Sequence, residues 1–237
     1  MNSGFFSSKK VFFLILFSGI ALLASRINFS QLVGSSAQYF TFFQFFGPIA
    51  GAFLGPVIGI ASVLLAELAD FALAGKAFDA LNVLRLLPML FATLYFAVFL
   101  KKKSFRDASI AVPIICIALF VLQPDARAAW YYSLFWTIPI ITRVFSKNLF
   151  LRSLGATFSA HAVGGAIWAW TVPMTAEQWT LLIPVTAYER VMFAIGISVS
   201  FLLFNNLLNF VESRAKTGAL HIEGNYLLKP LALQRRN

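Results

Sequence analysis

The chain has 237 residues, of which 59% are apolar, 16% aromatic and only 12% charged. Soluble domains carry about a quarter charged residues, so this composition excludes an ordinary soluble reading and predicts an integral membrane protein. The formal charge of +10 lies in short basic clusters between apolar runs, a distribution that orients a membrane chain and gives no reason to expect nucleic acid.

In chain order, the apolar runs predict helices over 5–27, retained as a first span and not cleaved, and over 35–46, a short aromatic element that either crosses or re-enters. They continue over 48–69, 83–100, 109–122, 129–142, 154–173 and 188–211, followed by a cytoplasmic tail over 212–237. Pro48 suits a helix start because its missing N–H would have no intrahelical partner. Lys101-Lys102-Lys103 with Arg106, then Arg143, Lys147 and Arg152, and finally the tail basics Lys229 to Arg236, all fall on the cytoplasmic side of this plan. The expected fold is therefore all-α: a polytopic transmembrane helical bundle of about six to eight helices, one integral membrane domain over 1–237 with both termini cytoplasmic. The expected location is the cell membrane, with the chain as a multi-pass protein in the lipid bilayer.

Gly47, Gly51, Gly55 and Gly59 recur at four-residue spacing. Small residues so placed allow close helix packing. Ala21 and Ser25 make a weaker small-residue pair, and Asn205 and Asn206 need partners that would bind helix to helix.

Few charges remain once the basic clusters are assigned to orientation. Glu67 and Asp70 are three apart on one helical face, where they either end a span in water or select a cationic or hydroxylated ligand. Arg85, within Leu84-Arg85-Leu86-Leu87, snorkels to lipid headgroups, pairs with that acidic couple or holds an anionic group. His161 is a lone histidine with no second ligand at metal spacing, so it reads as an interhelical hydrogen-bonder or a ligand contact. Trp168, Trp170 and Trp179 fit an outer aromatic belt, with stacking on a ligand as the alternative. Glu189 and Arg190 are adjacent, so their side chains are expected to diverge to different neighbours, with Arg190 available for a carboxylate or phosphate. Together Glu67, Asp70, Arg85, His161, Trp168, Glu189 and Arg190 are the candidate ligand-binding residues. Cys116 is the only cysteine. No disulfide, metal site, cofactor or catalytic motif is expected.

The run Phe-Phe-Gln-Phe-Phe-Gly-Pro-Ile-Ala-Gly-Ala-Phe-Leu-Gly-Pro-Val-Ile-Gly, followed by Leu-Ala-Glu-Leu-Ala-Asp ending at Asp70, resembles the substrate-binding components of energy-coupling factor (ECF) transporters. The resemblance covers residues 11–106. It implies a vitamin-like small-molecule substrate, a transmembrane coupling subunit and cytoplasmic ATPases as partners, and Ala21 and Ser25 as a docking seam. The expected function is thus a membrane-embedded small-solute binding and uptake component without chemistry of its own. The rivals are an intramembrane enzyme acting on a lipid or isoprenoid, and a structural or assembly protein.

Overall fold

The computed structural model describes residues 8–31, 39–97, 103–145, 147–215, 218 and 220–228. Helix α1, Ser8–Ala24, turns Phe13, Phe17 and Ala21 inward at four-residue spacing, so one face is buried while Phe12, Ile15 and Leu23 look outward. Strands β1, Asn28–Gln31, and β2, Tyr39–Thr41, pair antiparallel across one end of the helices. The part of the expected 35–46 element that is described is thus strand β2 and then a short helix α2, Phe43–Phe46.

A single 3-10 turn, Gly47–Ile49, leads into α3, Ala50–Leu54, and α4, Pro56–Leu73. The break falls at Gly55, whose φ of 81° and ψ of 171° lie in a region reserved for glycine. Pro56 then opens α4, where its lack of an N–H costs nothing. The four spaced glycines therefore do not share one continuous helix. Gly51 and Gly59 instead meet across the break, where a Cβ on Gly59 would lie 2.6 Å from Gly51 Cα. Gly47 faces Met89, and Gly51 abuts the backbone of Thr93.

The expected run 83–100 is divided into α5, Ala80–Leu84, and α6, Leu87–Ala97. Helix α7, Lys103–Leu122, carries Pro113 within it. A 3-10 segment over Ala126–Thr137, kinked at Ala129, and helix α8, Ile138–Thr142, occupy the expected 129–142 run. Helix α9, Leu149–Thr171, is capped by the Asn148 side chain, which accepts from Leu151 N at 3.0 Å. Helix α10, Ala176–Ala215, runs 40 residues, through Pro184, and so begins twelve residues before the expected 188. One proline removes a single intrahelical bond, which a long packed helix tolerates.

Two apolar clusters form the core. Phe17, Phe46, Phe53, Phe96 and Phe201 join α1, α2, α3, α6 and α10, while Phe120, Tyr132, Trp136 and Trp179 join α7, the 126–137 segment and α10. Helix α6 lies on α9, where Gly155 and Gly165 give room to Tyr95 and Trp136. The Tyr95 hydroxyl donates to Pro139 O at 2.8 Å and shares a bond of 2.9 Å with Thr142.

These observations correct the polytopic bundle. Among the described residues three helical stretches, Pro56–Leu73, Ala80–Ala97 and Ala176–Arg214, are long and apolar enough to cross a membrane, against the six to eight crossings expected. Charges assigned to solvent or to orientation are also paired inside the fold. Arg152, only 2% exposed, binds Glu223 at 2.8 Å and lies over the rings of Phe96 and Phe201. Nearer the surface, Arg143 reaches Asp107, which is exposed, at 3.8 Å. With these findings the multi-pass cell-membrane assignment and its sidedness are withdrawn. The clusters Lys101-Lys102 and Lys229 to Arg236 lie outside the described residues.

The segment over 220–228 returns to the helices. Asn205 Nδ2 donates to Glu223 O and its Oδ1 accepts from Glu223 N, at 3.0 and 2.9 Å. Asn206 repeats the pattern with Tyr226 O and Leu228 N, at 3.0 and 2.8 Å. The two asparagines hold this segment by its backbone; they were expected to join helix to helix.

Candidate functional site

A cavity of about 260 Å³ opens between β2, α2, α4, α6, α9, α10, the 126–137 segment and Arg85, just past the end of α5. Six of the seven candidate residues line it: Glu67, Arg85, His161, Trp168, Glu189 and Arg190. Asp70 lines a second, larger cavity of about 620 Å³, which shares Tyr39, Gln44, Glu67 and Arg85 with the first.

Each side chain is brought there by local structure. On α9, His161, Gly164 and Trp168 recur at helical spacing and so face the cavity together, with Gly164 leaving space between the two rings. Asp79 caps α5 by accepting from Asn82 N at 2.8 Å, and its other oxygen accepts from Asn82 Nδ2 at 2.8 Å. Asn82 in turn accepts from Arg85 Nη1 at 3.5 Å, and the Arg85 guanidinium lies 5.5 Å from the Trp168 ring centre. Trp168 faces the cavity, whereas Trp170 is exposed and donates to Leu119 O at 3.0 Å. Trp179 is buried against Phe120 and Tyr132, so it does not belong to an outer belt.

Glu189 and Arg190 do not diverge: Arg190 Nη2 lies 3.5 Å from Glu189 Oε2. Their side chains are long enough to bend into the same dry space, and Ser30 of β1 donates to the other Glu189 oxygen at 3.0 Å. The Arg190 guanidinium lies near the rings of Phe40 at 4.8 Å and Phe193 at 4.6 Å, which are edge-to-face with each other, and Nη1 donates to Thr157 at 3.4 Å. Asp70 pairs with Arg26 and Lys76, each at 3.1 Å, and accepts from Ser25 at 3.2 Å. Of the small-residue pair on α1, Ala21 is buried and Ser25 donates to Asp70 at 3.2 Å.

Tyr132 was missed from the sequence. Its hydroxyl shares a bond of 3.1 Å with His161 Nε2 and one of 2.8 Å with Thr186, so it ties three wall elements together. Burial pushes the Tyr132 hydroxyl up to about 12, against the smaller opposing pull of its Thr186 bond and the Arg190 charge. Burial, and then the Arg190 charge, hold the His161 imidazole well below its usual value, so it is neutral. Two of these residues each keep one polar atom buried behind the wall without a hydrogen-bond partner: Glu67 Oε2 and Arg190 Nε. Leaving such groups dry costs about 1–3 kcal/mol each. Among the described residues no three of His, Cys, Asp and Glu gather as metal ligands.

No family model matches the chain, and no solved structure does. The resemblance to transporter substrate-binding components is therefore corrected, and the uptake function that followed from it is withdrawn. The chain is similar to an uncharacterized protein, MJ0923, of Methanocaldococcus jannaschii, with 28% identity over 223 residues, 82% of this chain and 74% of the relative.

Proposed function

We propose that the chain is a small-molecule-binding protein whose ligand occupies the cavity between α4, α9 and α10. The observation that carries it is an apolar, ring-lined chamber onto which a few polar side chains, among them Gln44, Arg85, His161 and Glu189, converge from separate elements. A binding site is mostly apolar with a few convergent polar groups, and at about 260 Å³ this one suits a compact ligand near the small end of the usual range.

Gly164 provides the test. A Cβ there would meet only Pro88, at 3.6 Å, so a larger side chain enters open space. Small molecules extracted from purified wild type and from Gly164→Phe are compared by mass spectrometry. The expected result is a compound present with the wild type and lost from the folded variant. A compound retained equally by both, or none with either, contradicts the proposal.

A further inference from the structure

The chamber and the larger cavity of about 620 Å³ meet at Tyr39, Gln44, Glu67 and Arg85, which line both. Their remaining walls differ in character. In the chamber, Phe40, Tyr132, Trp168 and Trp179 offer rings, and Arg190 is joined to Glu189 at 3.5 Å. The larger cavity adds Arg26, Lys76 and Asp70, and that one carboxylate serves both cations, at 3.1 Å each. With Arg85 and Glu67, the charged groups around it among the described residues are three bases against two carboxyls. Burial pushes the Glu67 carboxyl well above its ordinary value, against the smaller pull of Lys76, so it offsets less positive charge than an ordinary carboxylate does.

Arg85 stands where the two spaces join. Its Nη1 donates to Asn82, which Asp79 holds in turn, and its guanidinium lies 5.5 Å from the Trp168 ring centre. An apolar wall and a positive charge therefore adjoin at one point. A guanidinium presents planar N–H donors that match a carboxylate or a phosphate. Moving an anion out of water is costly unless a compensating charge receives it, and here the excess is positive.

Building on the binding reading above, we propose that the ligand is an amphipathic anion, its compact apolar or ring-bearing body in the chamber and its carboxylate or phosphate group received by Arg85 at the junction with the larger cavity. Arg26 and Lys76 make the approach through the larger cavity favourable to negative charge.

The test uses 3-phenylpropionate and 2-phenylethyl phosphate as the two anions, 3-phenylpropionamide as a neutral counterpart with the same body, and acetate as an anion without the body. Each is titrated calorimetrically into wild type, Arg85→Gln, Arg85→Lys and Gly164→Phe. The expected result is that one of the phenyl anions binds wild type at least about ten-fold more tightly than the amide and than acetate, the scale of one charge-assisted hydrogen bond. Which of the two binds more tightly tells a carboxylate head from a phosphate. Arg85→Gln abolishes the preference over the amide, Arg85→Lys retains part of it, and Gly164→Phe weakens every phenyl probe. Should Arg85→Gln not fold, the comparison of anion with amide in wild type and Arg85→Lys decides. The amide binding as tightly as both anions, an anion preference undiminished in Arg85→Gln, or no probe binding at all overturns the inference. If Gly164→Phe nonetheless strips the copurified compound, the binding reading survives that failure. If Gly164→Phe changes neither probe binding nor retention, the binding reading falls as well.

Discussion

Arg190 shows how a charge is kept inside an apolar fold. Its guanidinium is paired with Glu189, bonded to Thr157 and faced by Phe40 and Phe193. Removing one partner of such a buried pair leaves the other uncompensated, at a cost of about 3–5 kcal/mol. Arg190→Met is expected to destabilise by that amount in denaturant unfolding, and Arg190→Met combined with Glu189→Gln by clearly less; equal losses would show that the pair is not coupled. His161 gives a pH dependence. Its folded value lies below the unfolded one, so the unfolded state takes up the proton first as pH falls, and the His161 contribution, complete above the unfolded value near 6.5, is lost on acidification towards the folded value. The melting temperature should fall between pH 7.5 and 5.5 and fall less in His161→Gln; identical profiles would exclude a neutral, buried imidazole. The sequence marked both residues as scarce polar groups in apolar runs, but not Tyr132, because an aromatic residue among Trp130, Tyr131 and Tyr132 carries no signal of which hydroxyl turns inward.

At the scale of elements, glycine does two different jobs. Gly55 supplies a backbone conformation that a side chain would strain, although a Cβ there would meet no neighbouring atom within 4 Å. Gly55→Ala is expected to cost about 1–3 kcal/mol, read from chemical denaturation, and a neutral outcome would show that the turn can relax. Gly59 instead provides close approach to Gly51. Four-residue spacing announced small residues but not the break between them, since periodicity records the repeat and Gly55 acts through φ. The helix limits suffered in the same way: the apolar run marks a helix only from 188, yet α10 begins at Ala176 and runs through Pro184. The 220–228 segment was illegible as structure because its hold comes from two asparagine side chains on a distant helix. In Asn205→Ala with Asn206→Ala, amide hydrogen exchange at Glu223 and Leu228 is expected to accelerate at least about ten-fold. Unchanged protection would mean that Arg152 and the Phe201–Tyr226 ring contact suffice.

For the whole molecule, scarcity of charge predicted one thing and the structure contains another. Composition led to orientation as the use of Arg152, but that residue is interior, over the rings of Phe96 and Phe201 and joined to Glu223, as Arg190 is beside Phe193 and joined to Glu189. A count of charges cannot tell a residue that faces out from one that is folded in. The same scarcity did narrow the polar groups to a short set, and six of its seven members surround one cavity although they are spread from Glu67 to Arg190. What remained hidden was the wall between them, because Phe40, Gln44 and Thr186 are brought in by tertiary packing alone. The most direct measurement is the mass of the folded protein sprayed intact. A wild-type peak carrying one small molecule, released on collisional activation and absent from Gly164→Phe, is the predicted result; a wild-type peak at the bare chain mass, indistinguishable in its bound state from the filled variant, would contradict it.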